Sequence, residues 1–135
     1  MVLLFSMPIL RPQLFSKKLC DVSPEKCQIA ETLNKSPQFT KGRVEFWVRY
    51  DFEGALVDIL YPSEVFISPS YLEHPYLDVV LAHELGHIEY GVLSSSESDA
   101  DRFAVKLRGK DRVLAAMSMD GISEKRKNAV KNMKE

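Results

Sequence analysis

The sequence predicts an α+β fold, and three observations predict it. Between positions 44 and 68, β-branched and aromatic residues gather in short runs bounded by turn residues. From Tyr76 onward the apolar residues recur three and four apart, the period of a helix buried along one face. A content of 45% hydrophobic residues in a chain of 135 suffices for one compact domain with a single core. The expected architecture is a small three-stranded sheet with helices before and after it.

The apolar opening MVLLFSMPIL has no basic residue ahead of it. Arg11, Pro12, Lys17 and Lys18 interrupt it well before the roughly 20 apolar residues of a spanning helix. It is expected to be an extended segment, kept from helix by Pro8 and Pro12 and buried or covered by a partner. With no secretory signal or transmembrane segment expected, the chain reads as soluble and cytoplasmic. Cys20 and Cys27 lack C-x-x-C spacing, so in a reducing compartment both are expected to be free thiols, at least one of them packed in the core. A net charge of -1 gives no case for nucleic acid as a partner.

Residues 1–22 form this apolar N-terminal segment, 23–107 the core of the domain and 108–135 a helical tail. Ser23-Pro24-Glu25 reads as a helix entry, with a capping serine and a first-turn proline, and Ser36-Pro37 ends that helix. Val44 to Tyr50 reads as a strand, Asp51 to Gly54 as a turn and Ala55 to Tyr61 as a second strand, giving a hairpin. Val65 to Ser68, between Pro62 and Pro69, is expected to be an edge strand, because proline cannot donate to a ladder. Leu77, Val80, Leu81, Leu85 and Ile88 define the next helix, with Gly91 as its cap. Ser94 to Ser96 offer a fresh N-cap, and Glu97 and Asp99 follow where the helix dipole favours acid. Ala100, Phe103, Ala104 and Leu107 form the buried stripe of that helix. Asp111 opens another, and Asp120-Gly121 separates it from a final basic, amphipathic helix.

Function is concentrated in His83-Glu84-Leu85-Gly86-His87. Residues at i and i+4 on a helix face the same way, so the two imidazoles can chelate one metal ion. Glu84 lies about 100° round from His83, offset from the ligand direction but placed to act as general base on a metal-activated water. A catalytic zinc site needs a third protein ligand and an open position. Glu89 points elsewhere, and the longer pattern H-E-x-x-H-x-x-G-x-x-H fails because position 90 is Tyr and position 93 is Leu. The third ligand must come from the following helix. Glu97 is the best offer, with Asp99 as the alternative. Asp101, one turn after Glu97, can accept the second ring N–H of a ligand histidine and fix its tautomer. Gly86 costs about 1 kcal/mol of helix propensity, which close approach of the glutamate helix explains. The plainer reading of these residues is a polar helix surface; their position on a strongly apolar helix argues against it.

His83-Glu84-Leu85-Gly86-His87 followed by Glu97-Ser98-Asp99-Ala100-Asp101 resembles the gluzincin metallopeptidases, whose membrane-bound members include the CaaX prenyl proteases. Without transmembrane helices, the chain is most similar to the minigluzincins, with elements agreeing in order and size from about Ser23 to Leu107. The resemblance implies a zinc-dependent endopeptidase with an active-site helix, a glutamate helix and a small sheet. His83, His87 and Glu97 would bind one Zn2+ ion and Glu84 would be catalytic. It also implies an edge strand bordering the cleft, a part for Val65 to Ser68, and a peptide or protein substrate. Minigluzincins are latent zymogens, so a segment of the chain would block its own cleft.

Tyr71, His74, Tyr90 and Arg108 are nominal donors to an oxyanion, each with a structural role as the plainer reading. The tail carries Ile122, Val130 and Met133 at helical spacing among basic residues. It reads as a solvated helix resting on the core, as a contact for an acidic surface, or as a self-inhibitory element. The apolar start and an edge strand invite self-association into a homo-oligomer. Two other functions share the motif: a regulatory protease that cleaves a repressor, and a non-catalytic zinc-binding protein.

Overall fold

A computed structural model describes residues 15–134, and the apolar opening at 1–14 lies outside the described residues. The chain runs β1 (Ser16–Lys18), α1 (Leu19–Val22), α2 (Pro24–Asn34), β2 (Glu45–Arg49), β3 (Ala55–Leu56) and β4 (Glu64–Ile67). A 3-10 turn (Pro69–Glu73) leads into α3 (Leu77–Glu89), α4 (Glu97–Arg108), α5 (Lys110–Met119) and α6 (Glu124–Lys131). The fold is α+β.

Local chemistry sets the helix ends. Ser23 Oγ accepts from Lys26 N–H at 3.2 Å, and Pro24 opens α2. Ser96 caps α4 in a capping box with Asp99, each side chain accepting from the other's backbone N–H. Gly91, at φ 96°, turns the chain after α3 in the left-handed region that glycine enters without strain. Helix α3 buries Leu77, Val79, Leu81, Ala82, Leu85 and Ile88. A helix apolar around so much of its girth belongs at the centre of a fold.

The sheet departs from expectation. Among the described residues it has four strands in the order β1-β2-β4-β3, where the sequence predicts three. Strands β2 and β4 pair in parallel, while β1 with β2 and β3 with β4 pair antiparallel, so the expected hairpin of β2 with β3 does not form. The predicted edge strand is internal instead. Val65, Phe66 and Ile67 are all buried, as befits a strand covered on both faces, and Pro62 and Pro69 lie outside the ladder. The edge next to α3 is β3, cut to two residues because the chain turns at Asp58, whose Oδ1 accepts from Leu60 N–H at 2.9 Å.

The cysteines also differ from expectation. Cys20 and Cys27 are disulfide-bonded, not free thiols, because the turn at Ser23-Pro24 folds α1 back onto α2 and brings their Cα atoms within 4.8 Å. Cys27 is in the core, as anticipated for at least one of the pair. Among the described residues, no helix is long and apolar enough to cross a membrane. The tail packs: Val130 and Met133 join the core from α6 and its C-terminal turn, with Ile122 against it.

Candidate metal centre

The candidate ligands meet where α3 and α4 cross. Gly86 makes the crossing possible. A Cβ built there would stand 2.8 Å from Phe103 Cβ and 2.9 Å from Ala100 Cα, so the helices touch backbone to backbone. The turn at 91–96 folds α4 back along α3 and lowers Glu97 over the two histidines.

His83, His87 and Glu97 each direct one donor atom to a common point, all within 4.8 Å of one another. Glu97 Oε1 lies 2.8 Å from His87 Nε2 and 3.5 Å from His83 Nε2. The far nitrogen of each ring is held from behind. His83 Nδ1 lies 3.0 Å from Asp101 Oδ1, and His87 Nδ1 lies 2.9 Å from Ser95 Oγ. The Ser95 hydroxyl can donate to the His87 carbonyl at 3.3 Å, which leaves its oxygen to accept from the ring N–H. Both rings are thereby turned so that Nε2 is the atom offered. Two imidazole nitrogens and one carboxylate oxygen, with a hydrogen-bond partner behind each ring, form a group that could hold a divalent metal ion. These residues fit such an ion.

Electrostatics match the geometry. Burial opposes a charged His83, but hydrogen bonds with Asp101 and Glu97 outweigh it and raise its pKa to about 9. The His83 hydrogen bond, against the carboxyl's own desolvation, lowers Glu97 to about 2. Glu84 is 8% exposed; burial pushes its carboxyl up, and the neighbouring imidazoles pull it partly back.

Two cavities flank Glu84. One, of about 150 Å³, runs between Glu84, His83 and Tyr71 on its polar side and Ala104, Val113 and Ala116 on its apolar side. The other, of about 300 Å³, lies between the candidate ligands and residues 55–57 at the edge strand. Glu97 is 56% exposed at its side chain, so the site opens to solvent on that side.

The structure brings together the predicted set: His83, Glu84, His87, Glu97 and Asp101. Asp99, the alternative ligand, is spent on the α4 cap. Glu89 turns away, as its position on the helix required, and accepts from Thr40 N–H at 2.7 Å. Of the four nominal oxyanion donors, Tyr71 lines the cavity beside Glu84 and the others have structural partners. His74 bonds Asp120 at 2.8 Å, Tyr90 accepts from Lys106 at 3.3 Å, and Arg108 sits 3.3 Å from Asp78. Ser95 and Arg126 were not foreseen. Ser95 read only as helix-capping chemistry, and nothing in the sequence links Arg126 to a site 25 positions earlier.

Comparisons of the chain with protein-family models, with curated proteins and with solved structures found no match.

Proposed function

We propose that the protein is a zinc-dependent endopeptidase. The observation behind this is the convergence of His83, His87 and Glu97 on one point, with a buried carboxylate, Glu84, beside them between two cavities. His83 and His87 through Nε2, and Glu97 through Oε1, would hold the ion. When bound, zinc supplies a Lewis acid that lowers the pKa of water to about 7 and polarises a carbonyl.

The chain's own residues do the rest. Asp101 and Ser95 fix the two rings so that neither turns its donor atom away. The Glu84 carboxylate takes a proton from the attacking water and delivers it to the amine nitrogen that leaves. Burial of Glu84 makes it a stronger proton acceptor than an exposed glutamate, which suits a base working near neutrality. Tyr71, which lines the same cavity as Glu84, would donate to the oxygen that gains charge. An extended peptide would run along β3, which among the described residues has a strand neighbour on one side only. The cavity between Glu84 and Ala104 would receive a side chain. The solvent-open face at Glu97 favours this over a closed structural zinc site.

The test is metal content after growth in zinc-replete medium, with casein hydrolysis in parallel. Wild type should carry zinc and cleave; His83→Ala and Glu97→Ala should lose both. A metal-free wild type removes the zinc centre, and zinc-loaded protein that leaves casein intact both at full length and after truncation at either terminus removes the peptidase.

A further inference from the structure

Arg126 reaches the metal centre from a distant part of the chain. It stands in the first turn of α6, where its backbone N–H donates to the capping Ser123 at 3.3 Å. Its guanidinium grips Asp101 with two bonds, Nε to Oδ2 at 3.1 Å and Nη2 to Oδ1 at 2.8 Å. The third nitrogen, Nη1, lies 3.5 Å from Glu97 Oε2. Asp101 is 3% exposed, and the same Oδ1 that accepts from Arg126 faces His83 Nδ1. One side chain therefore touches a metal ligand directly and also holds the carboxylate that orients another.

We propose that Arg126 is a positioning residue for the metal centre and that it couples docking of α6 to metal binding. This rests on the assignment of His83, His87 and Glu97 as ligands. The planar fork of an arginine bonding both oxygens fixes the plane of a carboxylate, which a single bond does not. With Asp101 fixed, the His83 ring is fixed. Three carboxylates, Glu84, Glu97 and Asp101, crowd around this pair of imidazoles, and Arg126 offsets their mutual repulsion at the two nearest α6. Coupling of this kind is reciprocal: if a docked α6 tightens the metal site, a bound metal must hold α6 in place.

Other contacts keep α6 folded when Arg126 is altered. Val130 is fully buried, Met133 is in the core, and Lys110 Nζ donates to the Lys131 carbonyl at 3.0 Å. The effect on metal is thus separable from unfolding.

The test compares wild type with Arg126→Gln and Arg126→Lys. Zinc affinity is read by competition with a chromophoric chelator, and α6 amide hydrogen exchange is followed with and without zinc. Loss of an outer partner of a metal ligand weakens binding about 10-fold or more, so Arg126→Gln should bind zinc about 10-fold more weakly. Arg126→Lys keeps the charge without the fork and should fall between. Zinc should slow exchange in α6 of the wild type and leave it unchanged in Arg126→Gln. An arginine with only a structural role would lower the melting temperature of the Gln variant but leave its zinc affinity intact, and that result overturns the proposal. If the Gln variant does not fold, wild-type zinc affinity in Arg126→Lys overturns it equally. A wild type that binds no zinc removes the ligand assignment and this proposal together.

Discussion

Gly86 and Ala100 are in contact through their backbones: a Cβ on Gly86 would meet the Ala100 Cα at 2.9 Å and its carbonyl oxygen at 3.1 Å. That closeness sets how far Glu97 can descend toward His83 and His87. Gly86→Ala gains about 1 kcal/mol of helix propensity but meets rigid backbone. Overpacking of this kind costs about 1–3 kcal/mol. The variant should therefore melt lower than wild type without metal and bind zinc more weakly, as α4 is pushed outward. A higher melting temperature would mean that the helices separate freely.

Glu84→Gln should separate binding from chemistry. Glutamine keeps the shape but accepts no proton, so hydrolysis should fall by about 10²–10⁴-fold with zinc content unchanged. Stability should move the other way. A carboxyl whose folded pKa is raised binds protons more tightly in the fold, so it weakens the fold as pH rises above its unfolded value. The variant loses that penalty and should match or exceed the wild-type melting temperature at neutral pH. Retained casein cleavage would remove Glu84 from the reaction.

The metal-free protein should show a pH signature from His83. Its folded pKa of about 9 exceeds the ordinary imidazole value of 6.5, so its contribution to stability is complete below 6.5 and lost as pH climbs through about 9. Zinc has to displace that proton. Zinc affinity should therefore rise with pH across the same window, with net proton release seen by calorimetry in buffers of different ionisation enthalpy. An affinity independent of pH there would exclude His83 as a ligand.

Cys20 is exposed, so reductant can reach its bond to Cys27. Closing so short a loop restricts the unfolded chain by about 2 kcal/mol, which reduction or Cys20→Ser should remove in denaturant melts. Zinc affinity should be unaffected, since neither cysteine belongs to the His83, His87 and Glu97 group. Identical midpoints with and without reductant would show that the two thiols are unpaired in solution.

What could be read from the sequence was local. Ser23-Pro24 and Ser96 announced helix starts because a cap acts within three residues. His83 and His87 announced a shared face because four positions make about one turn. The sheet was harder, because alternation along a strand says nothing about which strand lies beside it. Val65-Phe66-Ile67 did carry a sign of its central place, an unbroken apolar run, but the flanking prolines drew the reading to an edge. Arg126 and Ser95 could not be placed, since a basic residue in a tail and a serine in a turn each have simpler local explanations. The Cys20–Cys27 bond depends on the fold-back of α1 onto α2, which no local spacing in the sequence encodes.

The three donors fall between positions 83 and 97, on two consecutive helices joined by one tight turn. Bringing them together costs the closure entropy of a short loop, which grows only as the logarithm of its length. Contacts so near in sequence form fast, as does the parallel pairing of β2 with β4, whose partners Glu45 and Glu64 are scarcely farther apart along the chain. During synthesis from the N-terminus, all three candidate ligands exist once residue 97 has been made, with Arg126 still to come.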